Sequence, residues 1–187
     1  MGIELRNELR ASSIHGETVT PTWGGGVTHP PSDWQAAAAR GGNAVLAANP
    51  ELLIVVDNVN YSTDFIAVKK HGPPALDVPR RLVWSAHDYS WSQHVSAGGL
   101  AAHLDTQWGF LLEANKSYTA PIWASEFGTS HNPPLPGKGS WWRAFLAYIE
   151  GNDLSWGTST FCGTLFQIEC TSYGHGVSFL LSASAMP

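Results

Sequence analysis

The chain has 187 residues, of which 43% are hydrophobic and only 13% charged. That balance builds one packed domain and excludes a disordered tail or a highly charged coiled coil. A formal net charge of -5 without any basic run argues against a nucleic-acid partner, and no apolar stretch reaches the length that crosses a bilayer.

The opening "IELR" predicts a strand that ends in the polar pair Asn7-Glu8, flanked by Arg6 and Arg10. A Gly/Pro/Thr-rich loop, "GETVTPTWGGGVTHPP", comes next. Ser32 is the expected N-cap of a helix over "DWQAAAARGGNAVLAANP", stopped by Pro50. "LLIVVD" is a continuous apolar run, the pattern of a strand covered on both faces. The long, Pro-interrupted "NVNYSTDFIAVKKHGPPALDVP" reads as loop more than helix. "RLVWSAHDYSW" begins as a buried strand and turns polar and aromatic at its carboxyl end. Helical spacing returns in "LAAHLDTQWGFLLEAN", and "APIWASEFGTS" is another strand with a polar end. "GSWWRAFLAYIEGND" predicts a helix with Ser140 as its cap and Gly151 near its end, and "LSWGTSTF" is the last strand.

Such alternation predicts an α/β fold, a parallel sheet with covering helices. Right-handed crossovers put the carboxyl ends of parallel strands on one face, where active sites lie in barrels and doubly wound sheets. Polar clusters follow three of the strands: Asn7-Glu8, then Ser85 to Tyr89, then Ser125-Glu126. Glu8 and Glu126 are the pair with chemical potential. Two converging carboxylates cleave glycosides, one donating a proton to the leaving oxygen while the other attacks the anomeric carbon or activates water. The competing reading has each carboxylate capping backbone or pairing with an arginine. His87 and Tyr89, two apart on a strand, point to the same side and are placed to orient a carboxylate or simply to line the rim.

Ser85, His87 and Asp88 contain the letters of a hydrolase triad. Strand neighbours cannot form the required line of nucleophile, base and orienter, and no G-x-S-x-G elbow is present. His71, His94, His103 and His131 stand at no metal-ligand spacing, so no metal is expected. Cys162 and Cys170 lie close enough in sequence for a small disulfide loop. Asn60-Tyr61-Ser62 and Asn115-Lys116-Ser117 are glycosylation sequons, which matter only in a secreted chain. Nine tryptophans suit both a core and a sugar-binding cleft, because flat aromatic rings cover the apolar faces of pyranoses.

"IELRNELR" resembles the fourth-strand signature of glycoside hydrolase family 5, the cellulase family. "WGGGVTHPPSDW", "GNAVLAANPELLIVVDNVNYSTDF", "RLVWSAHDYSW" and "PIWASEFGT" follow in the order and spacing of that family's later strands. The resemblance implies a partial (β/α)8 TIM barrel, strands four to eight with covering helices, as a partial catalytic domain over residues 1–161. An unmatched tail over 162–187 follows it. It further implies that Glu8 is the general acid/base and Glu126 the nucleophile of a retaining double displacement. Asn7, His87, Tyr89 and Trp156 would bind substrate, with His87 and Tyr89 also orienting the nucleophile.

The implied function is hydrolysis of β-linked glucan, with a polysaccharide or oligosaccharide substrate and no metal or organic cofactor. Neither nucleic acid nor membrane is an implied partner. Family membership also implies an extracellular location, although the first residues lack the basic-then-apolar layout of a signal peptide. Against the family pattern, strands one to three are expected to be missing, together with an arginine and a histidine of the site. Ser159 stands where a sugar-stacking tryptophan belongs. An open five-stranded sheet has two unpaired edges, so weak or absent activity is expected of the chain by itself. The alternative reading is a non-catalytic carbohydrate-binding remnant.

Overall fold

The structure is a computed structural model that describes residues 1–14, 16–25, 32–92, 95–129 and 138–157. Ser159, Cys162, Cys170, His94, His131 and the tail over 162–187 lie outside the described residues. The described residues form two compact units, one of Met1–Ala86 with Thr106–Ile122, the other of His87–Asp105 with the described residues from Trp123 onward.

In chain order the first unit holds β1 (Gly2–Glu4), β2 (Ser12–Ile14), β3 (Glu17–Val19), α1 (Trp34–Ala48) and β4 (Leu53–Val56). Two single turns follow, α2 (Val59–Ser62) and α3 (Val68–His71), and then the start of β5 (Leu82–Tyr89). β1 pairs in parallel with β4, and β4 with β5. At the amino end of β5, Trp84 N donates to Pro121 O over 2.9 Å, just before β6 (Ile122–Gly128). In the second unit Ser90 N donates to Gly128 O over 2.9 Å, and β6 pairs in parallel with β7 (Ser155–Trp156). The sheet order is therefore β1-β4-β5-β6-β7. The parallel sheet expected from the alternating pattern is present, with α4 (Leu100–Gln107) and α5 (Lys138–Gly151) on the intervening connections.

β2 and β3 form an antiparallel hairpin whose second strand falls inside the segment expected to be loop. It turns at Gly16, whose φ of +83° only glycine adopts without strain. Another difference lies at the start of α1. Asp33, not Ser32, is the N-cap, accepting from Ala36 N over 3.1 Å. Ala38, Gly42 and Leu46 form the buried stripe of α1, spaced by four as one helix face requires. A Cβ on Gly42 would stand 2.7 Å from Leu76 and 3.2 Å from Ile54 of β4, so glycine lets the helix approach the sheet.

The core of the first unit centres on Trp84, fully buried and edge-on to Trp23 at 5.6 Å and to Phe65 at 5.7 Å. Its indole nitrogen donates to Tyr118 O over 3.0 Å, which removes the cost of burying that donor. The second unit has its own core, in which Phe127 of β6 packs on Phe145 of α5 at 4.8 Å and Phe145 stacks on Trp141 at 4.9 Å.

Candidate active site

Strand alternation sets the side chains of Ser85, His87 and Tyr89 on one face of β5. In the second unit, β6 brings Glu126 to the latter two. Tyr89 Oη donates to Glu126 Oε2 over 2.8 Å, and His87 Nδ1 lies 3.6 Å from the same oxygen. His87 is buried to 1% exposure, whereas Glu126 keeps 27% of its side-chain surface in contact with solvent. A fixed imidazole and a phenol thus hold a carboxylate that a solute can still reach. Glu126 sits within β6 rather than at the strand end that the sequence pattern predicted. The Tyr89 ring stacks on Trp91 at 4.5 Å, and Trp91 is exposed. Trp156 is half-buried in β7 and meets the Phe127 ring edge-on at 5.7 Å.

Asn7 and Glu8 belong to the first unit. β1 stops at Glu4, so both lie in the segment beyond it and not on the strand itself. Asn7 is exposed. Glu8 is partly buried and has a left-handed backbone, φ 45°, which costs energy in any residue bearing a Cβ. Its N–H donates to Asp57 Oδ2 over 2.8 Å, while its carbonyl accepts from Arg10 Nη1 over 3.2 Å. Arg10 Nη1 also lies 3.9 Å from Glu8 Oε2, so the arginine pairing weighed against chemistry is present. Arg10 is more than half exposed, and such a pair contributes at most about 1 kcal/mol. A cavity of about 270 Å³ lies beside Glu8, lined by Arg6, Arg10, Asp33 and Trp34 among others.

Sequence reasoning missed Glu4, Asp57 and the role of Ser85. The register pairs Glu4 with Val55 and Val55 with Val83, so Glu4, Asp57 and Ser85 share one face of three adjacent strands. Ser85 Oγ donates to Glu4 Oε1 over 3.0 Å. Asp57 is fully buried; burial, and then the hydrogen bond it shares with Glu4, push its pKa up to about 8. One signal for Asp57 was available, since it closes the apolar run "LLIVVD" just as polar residues follow the other strands.

The family that matches this chain is Cellulase (glycosyl hydrolase family 5), over residues 1–161. The chain belongs to glycosyl hydrolase family 5. An endoglucanase of Paenibacillus polymyxa is 31% identical over 173 residues, covering 82% of this chain and 40% of that protein. Among solved structures, a hyperthermophilic endocellulase from the archaeon Pyrococcus horikoshii superposes with a TM-score of 0.66 at 22% identity. That alignment covers 81% of this chain and 47% of the endocellulase. A cellotetraose complex of the endocellulase from the same organism gives a TM-score of 0.58 at 21% identity, over 72% of this chain and 41% of that one. The fold is thus that of part of a family 5 (β/α)8 barrel, and the chain spans less than half the length of these relatives.

Proposed function

We propose that the protein is a retaining glycoside hydrolase acting on β-linked glucan in the manner of an endoglucanase. The observation that carries this reading is the 2.8 Å hydrogen bond from Tyr89 to Glu126, with His87 Nδ1 3.6 Å from the same oxygen. That arrangement engages Oε2 and leaves Oε1 to attack the anomeric carbon. In the first step the Glu126 carboxylate forms the glycosyl ester as the glycosidic C–O bond breaks, and Glu8 gives its proton to the departing oxygen. In the second step the Glu8 carboxylate takes a proton from water, whose oxygen displaces Glu126 from the anomeric carbon. Retention requires the two carboxyl groups about 5–5.5 Å apart. Asn7 contacts a substrate hydroxyl, and Trp156 offers an aromatic face to a sugar ring. A polymeric substrate that cannot cross a membrane places the reaction outside the cell.

The test is turnover of a soluble β-glucan by the wild-type chain and by Glu126→Gln and Glu8→Gln variants. The reading predicts weak reducing-sugar release that both substitutions bring down to the uncatalysed background, a loss of the roughly 4 kcal/mol or more that a thousandfold rate factor represents. Cellotetraose that binds without being cleaved by the wild-type protein would instead identify a carbohydrate-binding remnant.

A further inference from the structure

Glu8 occupies a backbone conformation that its own side chain disfavours, φ 45°, so its surroundings must hold it there. The segment that closes β4 does this from both sides. On the amino side, Asp57 Oδ2 receives the Glu8 N–H over 2.8 Å. On the carboxyl side, Tyr61 N donates to Leu9 O over 3.1 Å, and the Arg10 guanidinium lies over the Tyr61 ring at 5.5 Å.

That segment is itself strained. Asn60, Tyr61 and Ser62 are left-handed in succession, with φ of 53°, 61° and 56°. Buried Ser62 fixes the turn, accepting from Asn58 N over 2.9 Å and donating to Ser85 O over 2.6 Å. Asp57 is equally constrained. Its backbone carbonyl accepts from Trp34 Nε1 over 2.7 Å, and its carboxyl is hydrogen-bonded to Glu4, which receives Ser85 Oγ over 3.0 Å. Full burial and the anchored backbone carbonyl restrict how far this carboxyl can turn away from the amide it accepts.

We propose that Asp57, braced by Glu4 and Ser85, is the positioning residue that holds the Glu8 backbone in its left-handed conformation and so aims the Glu8 carboxyl at the reacting bond. The positioning half rests on geometry alone; the catalytic half rests on the acid/base role proposed above for Glu8. The raised pKa agrees with the arrangement, because a buried Asp57 that keeps its proton still offers Oδ2 as acceptor for the Glu8 amide. An asparagine keeps a carbonyl acceptor for that amide and cannot ionise. An alanine offers no acceptor.

The experiment compares the full chain with its Asp57→Asn and Asp57→Ala variants in two measurements. Amide hydrogen exchange at Glu8, followed by NMR, needs no catalysis. We expect a protected amide in the wild type, protection within about threefold in Asp57→Asn, and exchange at least about tenfold faster in Asp57→Ala, these factors bracketing the loss of one hydrogen bond. The second measurement is steady-state hydrolysis of soluble β-glucan. Asp57→Ala should lower kcat by about ten- to a hundredfold with KM within twofold, as for a group that acts on the transition state through Glu8, and Asp57→Asn should restore most of it. An unprotected Glu8 amide in the wild type, or equal protection in all three proteins, overturns the proposal. So does an Asp57→Asn variant as impaired as Asp57→Ala. If the wild type fails to hydrolyse glucan, the glycosidase reading falls, and the exchange data alone decide the positioning role.

Discussion

Tyr89 and Glu126 lie on adjacent strands, 37 residues apart in sequence, and are joined by a 2.8 Å hydrogen bond from phenol to carboxylate. β5 and β6 set this distance, and the Tyr89 ring is steadied by its stack on Trp91. Hydrogen bonds to a charged group contribute about 1.5–3 kcal/mol. Tyr89→Phe is therefore expected to reduce kcat on β-glucan by roughly ten- to a hundredfold. It should leave thermal stability nearly unchanged, because the ring and its stacking partner remain. Paired kinetic and melting measurements check this; an unaltered kcat would remove Tyr89 from the account.

Asp57 makes stability depend on pH. In the unfolded chain it releases its proton near its ordinary value of 3.8, but in the folded protein only near 8. Between those pH values the unfolded state binds fewer protons, so rising pH favours unfolding. The contribution is complete at the acid end and is lost as pH rises through the folded value. Its slope is up to about 1.4 kcal/mol per pH unit. Urea denaturation at intervals from pH 5 to pH 8.5 should show the decline, and Asp57→Asn, which cannot ionise, should flatten it.

Trp84 ties the first unit's core together through edge contacts with Trp23 and Phe65 and through its indole N–H. Trp84→Ala should cost about 3–5 kcal/mol, the range for deleting a buried tryptophan. Denaturant midpoints and slopes measured side by side would show it.

The start of α1 offers a direct test of its cap. Asp33→Ala removes the acceptor for Ala36 N and should cost about 1 kcal/mol, most of which Asp33→Ser should restore. No loss in thermal melts of Asp33→Ala would contradict the capping geometry.

The main strands were legible because β4 and β5 are buried on both faces, which leaves long apolar runs such as "LLIVVD" ending in polar residues, and β6 is partly buried in the same way. His87, Tyr89 and Glu126 were legible for the same reason. The β2–β3 hairpin was not, since three-residue strands are too short to display a period of two. The cap was read one residue early because Ser and Asp are comparably good caps, and only the backbone conformation decides between them. The bonds of Glu4 to Ser85 and of Glu8 to Asp57 span 81 and 49 residues, and they become visible only once the register of three strands is known.

Chemical capture of the nucleophile tests the core of the mechanism. Incubation with a 2-deoxy-2-fluoro-cellobioside bearing a good leaving group, followed by proteolysis and mass spectrometry, should yield one glycosylated peptide carrying the sugar on Glu126. A stable adduct on any other side chain, or β-glucan turnover with no adduct at Glu126, would contradict it.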